Sequence, residues 1–222
     1  MTTTTTCPPL PDRITKSLLG YGVIGGPVYV VAVAAQAATR DGFDPTRHAA
    51  SQLANGDLGW IQIATFLVTG AMTIAAAVGI RRALGAGRSS AWASGLIGGF
   101  GLGLVAAAFF RADPSDAFPP GTPAGMAEPT WHGMVHFAVA GVGFICLVAA
   151  CLVLGTRFAR NGERGWAWFS RVTGGLFTVS FAVMASGAAG AAAMLLFTAA
   201  VVLAWAWLTA VSVKLYKSVG GT

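Results

Sequence analysis

The stretch VTGGLFTVSFAVMASGAAGAAAMLLFTAAVVLAWAWLTAVSV, Val172 to Val213, decides the fold. It carries no charged side chain and is about twice the roughly 20 helical residues that cross the hydrocarbon layer of a bilayer. One span cannot use it. The small residues Ser186-Gly187-Ala188-Ala189-Gly190 offer a turn in its middle, so it divides into two apolar helices, Trp166 to Ala185 and Ala191 to Val213. Four further stretches of similar character precede it: Ser17 to Ala38, Trp60 to Ile80, Ala91 to Phe110 and Trp131 to Leu154.

Composition supports this reading along the whole chain. Of 222 residues, 55% are hydrophobic and only 10% charged, and no single water-soluble globule can hide that much apolar surface. The expected fold is therefore all-α, a polytopic membrane protein of six transmembrane helices. Its divisions are a polar N-terminal tail (1–16), a six-helix domain (17–213) with outer loops 39–59 and 111–130, and a C-terminal tail (214–222). The tail MTTTTTCPPLPDR lacks a basic start, an apolar core and a small-residue cleavage site, so neither a signal peptide nor a lipid anchor at Cys7 is expected. Cys146 and Cys151 fall within the fourth span, where they read as small packing residues.

Basic residues give the orientation. Eleven of the fourteen fall on the side of the N-terminus: Arg13, Lys16, Arg81, Arg82, Arg88, Arg157, Arg160, Arg164, Arg171, Lys214 and Lys217. Six of the eight acidic residues fall on the other side. By the positive-inside rule both termini are expected to be cytoplasmic. The net charge of +6 is then a matter of topology and anionic lipid, and gives no support to nucleic-acid binding.

Small residues predict close helix contacts. Gly95, Gly99 and Gly103 are spaced by four along the third helix, a face along which another backbone can approach. Gly25-Gly26-Pro27 in the first helix predicts a kink or local unwinding, because proline removes a hydrogen bond there.

The polar chemistry gathers in two outer loops. The second holds five of the ten prolines and the Asp113-Pro114-Ser115 turn sequence; the first holds Asp44-Pro45-Thr46. All three histidines lie on this side, His48 in the first loop and His132 and His136 at i and i+4 in the fourth helix. The expected ligand-binding residues are Asp44, Arg47, His48, Arg111, Asp113 and Asp116, and a polar cap is expected in which Asp44, Arg47, His48, Arg111, Asp113, His132 and His136 converge. His132, His136 and Asp113 form a candidate set for a divalent metal such as zinc.

The run DPTRHAASQLANGDLGWIQ (Asp44 to Gln62), followed by RADPSDAFPPGTP (Arg111 to Pro123) and TWHGMVH (Thr130 to His136), resembles the bacterial membrane family known as domain of unknown function 998, DUF998. The likeness runs from Thr15 to Val213. It implies a six-helix membrane domain with a patterned extracytoplasmic face, and it brings no activity with it.

Two function classes follow from the residues. In the first, the cap recognises a membrane lipid, a small molecule or a partner protein without chemistry. In the second, a metal on the histidines activates water in a membrane-embedded hydrolase. An ion-coupled carrier fits less well, because no ionisable residue lies deep in a predicted span. Oligomeric state is not fixed by the sequence.

Overall fold

The computed structural model describes residues 9–125, 128–187 and 190–220. Among these the chain forms six α-helices: α1 (Leu10–Thr39), α2 (Gly59–Leu84), α3 (Arg88–Phe109), α4 (Trp131–Arg160), α5 (Arg164–Ala185) and α6 (Ala191–Ser218), with a short 3-10 helix at Ala50–Ala54. Five of them, all but α5, are long and apolar enough to cross a membrane. Each helix packs on its neighbours in sequence, and α6 returns to α1, so the six close into a ring. Cys7 lies outside the described residues.

The helices extend past the apolar spans. α1 starts at Leu10, not Ser17, because proline is tolerated in a first turn, where its missing N–H has no intrahelical partner in any case. α4 and α6 likewise run on to Arg160 and Ser218, since a helix need not stop where lipid stops. Two of the connections at the basic end are short, Gly85–Gly87 and Asn161–Glu163; both contain a left-handed glycine, Gly85 at φ 72° and Gly162 at φ 78°.

At this end the ring is packed solid. Gly22 of α1 sits between Ser212 of α6 and Ala76 of α2, and a Cβ at Gly26 would lie 3.1 Å from the Trp205 carbonyl. Leu19, Ile80, Leu154, Val211 and Leu215 are buried around these crossings. α1 is continuous through Gly25-Gly26-Pro27, so the expected unwinding does not occur. The glycines serve close approach to α6 instead.

The third helix corrects the small-residue reading in part. A Cβ at Gly103 would stand 2.9 Å from the Gly143 Cα of α4, and one at Gly99 would stand 2.9 Å from the Cys146 sulfur, so both make the expected contact. Gly95 meets nothing within 4 Å. It lies nearer the basic end, beyond the crossing with α4. Gly101, on another face, meets Gly70 of α2 instead, with each notional Cβ 2.9 Å from the other residue's carbonyl.

Several buried polar groups inside helices bond within their own helix or across to the next, which suits a lipid environment. The hydroxyls of Thr65, Thr69 and Thr73 each donate to the carbonyl four residues back. Trp207, fully buried, donates its indole N–H to Ser170 at 2.9 Å.

Candidate functional site

At the end opposite the basic cluster the ring does not close on itself. It encloses a cavity of about 820 Å³, walled by aromatic and aliphatic side chains from all six helices and roofed by the two long loops. Tyr29, Phe66, Phe100, Phe144, Phe177, Phe181, Phe197 and Trp205 form most of its depth. Tyr29 stacks on Trp205 with ring centroids 4.9 Å apart, which sets the floor.

The roof has a core of its own. Phe118, fully buried, meets Phe43 edge-on at 5.2 Å and His48 at 5.3 Å. Arg40 lies over the Phe118 ring at 5.3 Å and donates to the carbonyls of Leu53 and Asn55 at 3.1 and 2.6 Å. Burial lowers the Arg40 pKa from its ordinary value, and the Asp57 carboxylate opposes that shift. Asn55 ties the first loop to the second by donating to the Ala112 carbonyl at 3.0 Å, and Gln52 does so by donating to the Ser115 hydroxyl. The second loop doubles back at Asp116 and Ala117, whose positive φ values of 53° and 66° form a tight reversal between Ser115 and Phe118.

The histidines act differently from one another. His48 is buried; its Nδ1 accepts from the Asp44 amide at 2.8 Å, and its Nε2 donates to the Asp116 carbonyl at 3.1 Å. It is therefore a staple between the loops. His136 donates from Nδ1 to the Phe110 carbonyl at the end of α3, at 2.7 Å, and its ring borders the cavity. His132, one turn earlier, is exposed and stacked beside Trp131 at 3.7 Å.

The acidic residues are equally occupied. Asp44 makes the expected turn, accepting from the Thr46 amide at 2.8 Å and its hydroxyl at 2.7 Å. The Thr46 hydroxyl, and after it the Thr46 amide, hold the Asp44 carboxyl below the usual carboxylate range, with His48 and Arg47 adding to the pull. Asp113 does not turn onto Ser115. It accepts from the Thr130 amide and hydroxyl at 2.9 and 2.5 Å, anchoring the start of α4, where the helix dipole favours an anion. A Cβ at Gly133 would overlap that carboxylate, so the glycine makes room for it. Asp116 pairs with Arg47 at 3.5 Å, both partly exposed.

Thus Arg47, His48, Asp113, Asp116 and His136 border one cavity, as expected of a shared cap. Asp44 stands behind His48 as its backbone partner, Arg111 is exposed, and neither is part of the wall. The metal set is corrected: among the described residues no three His, Cys, Asp or Glu side chains form a group able to hold an ion. Asp113 is committed to Thr130, and His132 stacks on Trp131 away from the wall.

A family profile described as "Protein of unknown function (DUF998)" matches residues 23–214. The chain belongs to the DUF998 family. That match takes in the roof, the cavity and nearly all of the six helices of this DUF998 protein. No curated protein and no solved structure matches it significantly.

Sequence reasoning missed the amides. Gln52 of the roof and the Gln36–Gln62 pair, joined at 2.8 Å between α1 and α2, are buried. Weighing charge alone passed over them, although SQLAN in the first loop and Gln36 and Gln62 at the span ends were visible signals. The aromatic walls were missed because phenylalanine in an apolar helix reads equally well as lipid-facing or core.

Proposed function

We propose that this DUF998 protein crosses a bacterial cytoplasmic membrane six times with both termini inside, and holds an amphipathic ligand in the cavity beneath its outer cap. The cavity itself is the observation that carries the reading. At about 820 Å³ it falls within the roughly 300–1,000 Å³ of small-molecule sites. Apolar matter is what such walls accept. The polar groups at the roof fit a ligand with one wet end.

The sixth crossing falls to α5, which is 22 residues long and so about 33 Å, enough for a layer of roughly 30 Å. Its Arg164 and Arg171 lie toward the basic end, where long side chains can reach headgroups. Orientation rests on the clustering of basic groups at that end. Arg82 donates to Thr15, Arg157 to Ser89, and Lys214 pairs with Glu163. An impermeant maleimide applied to intact cells should modify a cysteine at Ser115 and spare one at Gly162. The reverse pattern overturns the orientation.

Filling the cavity tests the binding. Ala140 borders it on α4, and Ala140→Trp should lower retention of amphiphile adducts at least ten-fold by native mass spectrometry from nanodiscs. Equal retention in wild type and variant would remove the cavity from the function.

A further inference from the structure

The geometry points to a lipid with a hydroxylated head group as the ligand, admitted sideways from the cap-side leaflet between α1 and α6. This deepens the binding reading above and rests on it. The first observation is the seam between those helices. Toward the basic end it is shut, with Gly22 and Gly26 against Ser212, Thr209 and the Trp205 backbone. Beyond the Tyr29–Trp205 stack the seam parts. Val33 and Ala34 on one side and Thr198 and Val202 on the other border the cavity, while Ala34 and Val202 are also exposed and share helix faces with Val31 and Leu195, exposed residues that are not part of the cavity wall. A residue that borders the cavity and also lies on such a face marks an opening, and at this height the surface lies in the hydrocarbon layer.

Depth gives the second observation. From His136 at the roof to Leu147 near the floor, the α4 wall spans about 16 Å at 1.5 Å per residue. That is about half of the roughly 30 Å hydrocarbon layer, the thickness of one leaflet. A chain sliding in from that leaflet stays at its own depth, with its head level with the roof.

Gln52 supplies the head-group chemistry. It is 9% exposed, borders the cavity, and its Oε1 has no hydrogen-bond partner among the described residues, while its Nε2 is used by Ser115. A buried amide oxygen left unmatched is destabilising, so a donor belongs there. A hydroxyl meets the need in either orientation of the amide, because it both donates and accepts.

The test uses two diazirine-bearing alcohols on protein in vesicles: a long-chain alcohol incorporated in the bilayer and an eight-carbon alcohol added from water. Cross-links are mapped by mass spectrometry. The long-chain probe should label the walls at Phe144, Phe177 and Phe197. Ala34→Trp and, independently, Val202→Trp should cut that labelling at least ten-fold while the short probe still labels, which also shows that the cavity has survived the substitution. Replacing the hydroxyl of the long probe by a methyl ether should cut labelling of wild type at least five-fold, and Gln52→Leu should erase the difference. Unchanged long-chain labelling in both tryptophan variants would overturn lateral admission, and equal labelling by the ether would overturn the hydroxyl preference. Wall labelling by neither probe would instead sink the binding reading.

Discussion

The two ends of the helix ring are built from different residues for different purposes. At the basic end and through the middle, helices cross closely on glycines: Gly22 lies against the Ser212 and Ala76 side chains, Gly26 against Thr209 and the Trp205 backbone, and the pairs Gly70–Gly101 and Gly103–Gly143 meet backbone to backbone. At the cap end, Phe66, Phe144, Phe177, Phe181 and Phe197 hold the same six helices apart. Lipid tails are as apolar as a protein core, so helix association in a membrane depends on van der Waals fit and not on the hydrophobic effect. Tight fit is concentrated at these few glycine crossings, one of which, Gly103, itself borders the cavity. Between such crossings the ring is free to remain hollow without coming apart.

The largest break in this comparison is predicted for Gly103→Leu. The new side chain would be driven into the Gly143 backbone of α4, and overpacking of this kind costs about 1–3 kcal/mol or more, with no flexible neighbour to yield. Thermal unfolding in detergent should fall well below wild type. Gly95→Leu, facing open space, should leave it unchanged. If both variants unfold alike, the asymmetry along α3 is wrong.

That contrast also shows where the sequence stops being informative. Spacing by four placed Gly95, Gly99 and Gly103 on one face but could not say where along α3 the crossing with α4 ends. The extent of the close contact depends on how the axes of α3 and α4 diverge, because α4 itself continues to the basic end, where Arg157 reaches Ser89 and Leu84. The six helices themselves were legible, because length and apolarity are properties of single segments. The cap was legible as a cluster of charges and prolines, and five of its expected residues do border one cavity. Its wiring was not. Asp44-Pro45-Thr46 and Asp113-Pro114-Ser115 look alike, yet one aspartate closes its own turn and the other reaches across seventeen residues to Thr130. Only the fold brings the start of α4 within reach of Asp113.

The roof offers the next test, since it must hold its shape without close helix packing. Arg40→Ala removes two charge-assisted hydrogen bonds, to Leu53 and Asn55, and the contact with Phe118. With each hydrogen bond to a charged group contributing about 1.5 kcal/mol at the low end, the loss should be about 3 kcal/mol. Limited proteolysis should find the two cap loops cut sooner, with the helices of the basic end still protected. Simultaneous loss of both ends would show that the halves are not independent.

A smaller change in the opposite direction is expected at Ala117. Its φ of 66° is in the left-handed region, where a Cβ costs roughly 1–2 kcal/mol. Ala117→Gly relieves that strain and gives back part of it as chain entropy, for a net gain of about 0.5 kcal/mol. The cap loops should become slightly slower to cleave. Faster cleavage would mean that the alanine methyl makes a contact worth more than the strain.

The smallest effect is one of pH at the cap, where the Asp44 carboxyl is held below its ordinary range. Asp44 is held as an anion by Thr46, so its folded pKa lies below its unfolded value. Its contribution to stability is therefore complete above the ordinary carboxylate pKa of about 3.9 and is lost as pH falls through the lower folded value. Protease sensitivity of the first loop should be flat from neutral pH down to about 5 as far as Asp44 is concerned, and should rise only below about 4. Asp44→Ala should loosen the loop at all pH values and flatten that acid rise, since without the carboxylate there is nothing at the turn to protonate. A rise centred well above the carboxylate range, surviving in Asp44→Ala, would show that the Asp44 carboxylate is not what holds the loop against acid.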